Sequence, residues 1–225
     1  MPFTGFGPGA VAFYEELAAN NTRAWWQAHR DRYEAEIRAP LEHLLADLAD
    51  EFGEARVFRP QRDTRFSPDK SPYKTTAAAT IEAAYEVGSS LYVQLSAEGL
   101  MTGAGLWHPA RDQLARLREA IDDPRTGTEL EELLAGLRDR GVTIEAHESL
   151  RTAPRGYPKD HRRIELLRMK GLTGIVRHPP ADWLQTPKAR DVVAGGWRSL
   201  RPLHEWLGRH VGGSRLPVER RGGRR

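Results

Sequence analysis

The chain has 225 residues, no cysteine and a formal net charge of +3, from 34 basic and 31 acidic side chains. Disulfides and thiolate-bound metal are thereby excluded, and the length supports one large domain whose core needs neither. Residues 1–9 lack the basic start and apolar run of a signal peptide. No apolar stretch approaches the ~20 residues of a membrane span, so a soluble, cytoplasmic protein with no membrane contact is expected.

Residues 9–20 place Phe13 and Leu17 at helical spacing, and a second helix starts near Asn21 and Thr22, either of which can cap it. Its stripe of Trp25, Trp26, His29 and Tyr33 reads as core-facing rather than base-stacking. Pro40 suits the first turn of a new helix, expected to run from Leu41 through Leu48 to Phe52 and to end at Gly53. Pro60, Pro68 and Pro72 then forbid helix. Residues 57–66 read as a strand or extended segment with Phe58, Arg62 and Phe66 on one face and Arg59, Asp63 and Arg65 on the other. Residues 67–71 read as a turn.

Strands are expected at 76–85, 91–97 and 99–106, the first two joined by a turn at Gly88-Ser89. Gly99, Gly103 and Gly105 in the last strand point to a bulge or a closely approaching neighbour. Helices follow at 109–121 and 128–140, a short strand at 142–146, a helix at 161–169, a strand at 172–177 and a long helix at 186–211. Strands clustered between 57 and 106, with helices on both sides, predict an α+β fold with a mainly antiparallel sheet. A doubly wound sheet would need regular alternation of strand and helix. The expected organisation is a single domain over 1–208, helical in 1–53 and built of sheet and helices in 54–208.

The basic excess comes from residues 209–225, where Arg209, Arg215, Arg220, Arg221, Arg224 and Arg225 face Glu219 alone. Without that segment the chain is slightly acidic. Its glycines and arginines predict a disordered tail that binds nucleic acid without specificity.

The densest chemistry lies in residues 59–74, where Arg59, Arg62, Arg65, Lys70 and Lys74 are offset locally by Asp63 and Asp69. Guanidinium groups are planar donors suited to phosphate or carboxylate. One reading makes this an anion site: Arg59, Arg62, Arg65, Lys70 and Lys74 converge on the ligand, Tyr73 adds a hydrogen bond and Asp63 orients an arginine. A second makes Lys70 or Tyr73 a catalytic acid–base group whose pKa the arginines lower. A third has the charges pairing locally to brace an irregular segment or to dock an acidic protein surface.

Trp107 and His108, before Pro109, are further ligand-binding candidates at the mouth of a helix. No helix carries paired histidines at metal-ligating spacing, and no nucleotide-binding glycine loop occurs, so neither metal nor cofactor is expected. Tyr157, Lys159 and His161 belong to a turn that would close over the motif as a lid.

Arg59, Arg62, Asp63, Arg65 and Phe66, followed by Asp69, Lys70 and Tyr73, resemble the signature of a bacterial family of conserved hypothetical proteins, domain of unknown function 2461. The resemblance extends to Gly105-Leu106-Trp107-His108-Pro109 and to Gly156-Tyr157-Pro158-Lys159-Asp160-His161, covering residues 3–208. It brings no activity, cofactor or catalytic residue with it. The expected ligand is therefore read from the residues: an anionic small molecule, a nucleotide or a nucleic-acid backbone. The alternatives are an enzyme acting on such a substrate and a non-catalytic interaction module.

Overall fold

The computed structural model describes residues 1–65, 68–81 and 88–216. Helix α1 (Ala10–Ala19) is followed by α2 (Arg23–Tyr33), whose cap is Thr22, accepting from the Trp25 N–H at 3.2 Å. Instead of a break before Pro40, a π turn over Glu34–Arg38 carries the chain on into α3 (Ala39–Phe52). Pro40 has no N–H to offer the carbonyl of Glu36, one turn back. That carbonyl accepts from the Gly7 N–H at 2.8 Å, which ties the N-terminal segment to the helix. Gly53, at φ 93°, ends α3.

The sheet contains β1 (Ala55–Val57), β2 (Thr76–Ile81), β3 (Ser90–Ser96), β4 (Gly99–Leu106), β5 (Thr143–Glu145) and β6 (Leu172–His178). Its order is β1-β2-β3-β4-β6-β5 and every pairing is antiparallel. The first four strands form a meander. After β4 the chain passes through α4 (Arg111–Asp122) and α5 (Pro124–Asp139) to β5 at the edge, then through α6 (Ile164–Arg168) to β6. A 3-10 turn (Asp182–Gln185) leads to α7 (Lys188–His210). The α+β class with an antiparallel sheet between N- and C-terminal helices is as the sequence predicts. The strand expected over 57–66 stops at Val57, because Pro60 cannot donate to a ladder. Residues 66, 67, 82–85 and 217–225, included in the sequence expectations, lie outside the described residues.

The register sorts side chains onto two faces. Leu91, Ala104 and Gly174 align on one face, as do Val93 with Thr102 and Leu95 with Leu100. Across this face lies α7, with Trp197, Leu200, Leu203 and Trp206 essentially inaccessible to solvent. Each such large apolar side chain contributes roughly 1.5–3 kcal/mol by leaving water. The opposite face carries Thr80, Tyr92, Gly103 and Ile175 in one row and Ala78, Gln94, Met101 and Arg177 in the next. This face is a cleft of about 610 Å³. No described helix is long and apolar enough to cross a membrane.

Candidate functional site

Residues 58–65 and 68–75 form two irregular arms of a hairpin between β1 and β2. Lys74 N–H donates to the Pro60 carbonyl at 2.8 Å and Arg62 N–H to the Pro72 carbonyl at 2.9 Å, with Gln61 bridged to Tyr73 between them. Pro60 and Pro72 thus serve as acceptors, the one backbone role open to them. The base of the hairpin is held from α2. Tyr73 stacks on Trp26 at 4.2 Å and 8°, and Asn21 bonds both the N–H and the carbonyl of Tyr73.

The charged groups of the motif divide into two sets. At the tip, Arg65 donates to both Asp63 oxygens, at 3.0 and 2.6 Å, and holds the Asp63 pKa down to about 2. Arg62 pairs with Asp69, which Ser71 also binds through N–H and hydroxyl. Lys70 donates to the Thr64 carbonyl at 2.9 Å. At the base, Lys74 donates to the Arg59 carbonyl at 3.1 Å and its ammonium stands 5.3 Å from the centre of the Phe58 ring. Partial burial lowers the Lys74 pKa, and the charges of Arg59 and Arg62 lower it further. Among the described residues Lys74 has no carboxylate partner, while the charge of Arg59 helps to hold the Asp63 pKa down.

Lys74 and Phe58 line one end of the cleft, and Trp107 and His108 the other. Trp107 is 45% exposed, unusual for so large an apolar side chain. His108 packs on His147, ring centres 4.1 Å apart. Along the middle, Tyr92 donates to Gln94 at 2.8 Å, and burial pushes its phenol pKa up to about 12, so it stays a donor through the neutral range. At the far edge Arg177 is paired with Glu145 at 2.8 Å. Thr173 is 7% exposed and lines the cleft, and its hydroxyl has no hydrogen-bond partner among the described residues. Buried hydroxyls are ordinarily satisfied. Among the described residues no three metal-ligating side chains come together.

Of the residues singled out from sequence, Lys74, Trp107 and His108 are brought to the cleft. Arg59 and Arg62 stand beside Lys74, while Asp63, Arg65 and Lys70 occupy the hairpin tip and Tyr73 is packed under Trp26. The turn containing Tyr157 and His161 packs on α4 instead of over the motif. Its His161 bonds Asp122 at 3.0 Å and accepts from the Arg163 N–H, leaving neither ring nitrogen for a ligand. Helix α4 begins at Arg111, and Gln113 folds back to accept the Ala110 N–H.

Tyr92, Glu145, Thr173 and Arg177, which line the cleft, were not singled out from sequence, and Gly103 was read there only as a bulge or close-packing position. The alternation of Ser90, Tyr92 and Gln94 with Leu91, Val93 and Leu95 carried part of that signal, since it marks a strand with one polar face.

The profile of the family described as conserved hypothetical protein (DUF2461) matches residues 9–206. The chain belongs to that family. No curated protein and no solved structure matches it.

Proposed function

We propose that the protein binds a small anionic ligand in the cleft on the open face of the sheet, its phosphate or carboxylate held at the Lys74 end. The observation that carries this reading is charge crowding. Lys74 lines one end of a built cavity, Arg59 and Arg62 are near enough for their charges to act on it, and among the described residues Lys74 has no carboxylate partner. A bound anion would offset the burial and the repulsion from Arg59 and Arg62 that lower the Lys74 pKa, and Arg59 presents a planar, exposed donor set. The hairpin tip contributes less to this reading, because Arg62–Asp69 and Arg65–Asp63 already satisfy their charges. Lys70 and Tyr73 do not line the cleft, so no catalytic role is assigned to them.

The test is thermal unfolding and calorimetric titration of the full chain with ribose 5-phosphate. A ligand at ~100 times its Kd adds ~2.7 kcal/mol to stability. Stabilisation should vanish in Lys74→Met and weaken in Arg59→Gln. It should persist when Arg220, Arg221, Arg224 and Arg225 are all changed to Gln. Loss of binding in that last variant, with Lys74→Met unaffected, would assign the anion to the C-terminal arginines and refute the cleft.

A further inference from the structure

A glycine inside a strand marks either close approach of another backbone or a place where something else must come near. In β4 the first explanation accounts for Gly105. A Cβ there would lie 2.2 Å from the Leu172 carbonyl oxygen, and its φ of +145° disfavours any side chain. Gly103 is different. Its Cβ would meet nothing closer than the Gly174 carbonyl at 3.5 Å, Ile175 at 3.8 Å and Thr173 at 3.9 Å, all ordinary contacts. Neither packing nor backbone conformation requires glycine at that position.

The missing side chain matters on the open face. Gly103 is paired with Tyr92 on β3 and Ile175 on β6, so its substituent would project into the cleft between them. From Gly103 to Gly105 the floor is bare backbone, a flat trough two strand spacings wide, or ~10 Å. The unsatisfied Thr173 hydroxyl stands on one wall, and its methyl would be the neighbour of a Cβ at Gly103. Lys74 is not remote from this trough: its ammonium is 5.3 Å from the Phe58 ring centre, which is 6.5 Å from that of Tyr92.

We infer that the trough over Gly103 is a subsite for a flat heterocyclic ring whose polar edge is bonded by the Thr173 hydroxyl, which makes the ligand class a nucleoside monophosphate. This rests on the anion reading for the phosphate end and adds the ring end independently. A flat ring fits a floor of peptide planes flanked by Tyr92 and Ile175, and a hydrogen-bonding edge satisfies the Thr173 hydroxyl, which among the described residues has no partner and lines the cleft.

Calorimetric titration of the full chain with AMP, GMP, CMP and UMP, with ribose 5-phosphate and with adenosine separates the two ends. At least one nucleotide should bind roughly tenfold or more tighter than ribose 5-phosphate. Gly103→Val should erase that advantage while leaving ribose 5-phosphate affinity within about twofold, and Thr173→Val should reduce it by roughly three- to tenfold. Gly103→Ala, whose methyl meets only ordinary contacts, gives the same direction should the valine perturb folding, and unfolding midpoints check each variant.

Equal affinity for all nucleotides and ribose 5-phosphate would overturn the ring subsite and leave the anion site standing. Adenosine binding as tightly as AMP, and lost in Gly103→Val, would support the ring subsite and refute the anion site. Binding of none of these probes overturns both.

Discussion

On the helix-covered face of the sheet, a Cβ at Gly174 would come within 2.7 Å of Leu200, and one at Gly196 of α7 within 2.3 Å of the Thr102 hydroxyl. On the open face Gly103 lies between Tyr92 and Ile175 with room for a methyl group. The same residue type therefore records two different requirements. Beneath α7 it lets a helix and a sheet approach closely. In the cleft it keeps a surface clear that the protein itself does not fill. The polar groups follow the same division: Tyr92 accepts the Trp197 indole N–H through its backbone carbonyl at 2.9 Å on the helix side, while its phenol serves the cleft.

Substitutions on the two faces should behave accordingly. Trp197→Ala removes a fully buried ring and the donor to the Tyr92 carbonyl, so we expect a loss of about 3–5 kcal/mol in urea unfolding. Gly174→Val overpacks Leu200, Leu203 and Val142 and should cost about 1–3 kcal/mol. The Gly103 substitutions described above should change stability by less than either. A Gly103→Val variant as unstable as Gly174→Val would erase the contrast between the faces.

Lys74→Met should weaken anion binding by on the order of tenfold or more without lowering stability at neutral pH. A lysine whose folded pKa is lowered disfavours the folded chain while charged. Wild-type stability should therefore rise as pH climbs from that lowered pKa towards the ordinary 10.5, and the variant should lack this rise. A bound anion favours charged Lys74, so affinity should fall over the same interval. Arg65→Gln has the smallest expected effect. Its partner Asp63 is exposed, and such pairs contribute little, so the unfolding midpoint at neutral pH should not move measurably.

Much of the fold was legible because periodicity and punctuation agree locally: Thr22 caps, Gly53 stops, and β3 alternates. Pro40 does stand in the first turn of α3 as expected, but a proline signals a lost hydrogen bond and not its remedy, here a π turn with Gly7 taking the Glu36 carbonyl. The site was legible only where its residues are consecutive or chemically conspicuous, as with Lys74, Trp107 and His108. The remainder of the cleft is assembled by register. Tyr92, Gly103 and Ile175 become neighbours only when β3, β4 and β6 pair, and β6 is separated from β4 by three helices and a strand. Charge density also pulled attention to the hairpin tip, where Asp63 and Asp69 consume the arginines they accompany.

The most direct test is an NMR titration of the uniformly labelled full chain with AMP, following backbone amides. The largest shifts are expected at Lys74, Tyr92, Gly103 and Thr173, with the amides of Gly174 and Gly196 little changed. Shifts confined to the hairpin tip or to the C-terminal arginines, with Gly103 and Lys74 unmoved, would contradict binding in the cleft.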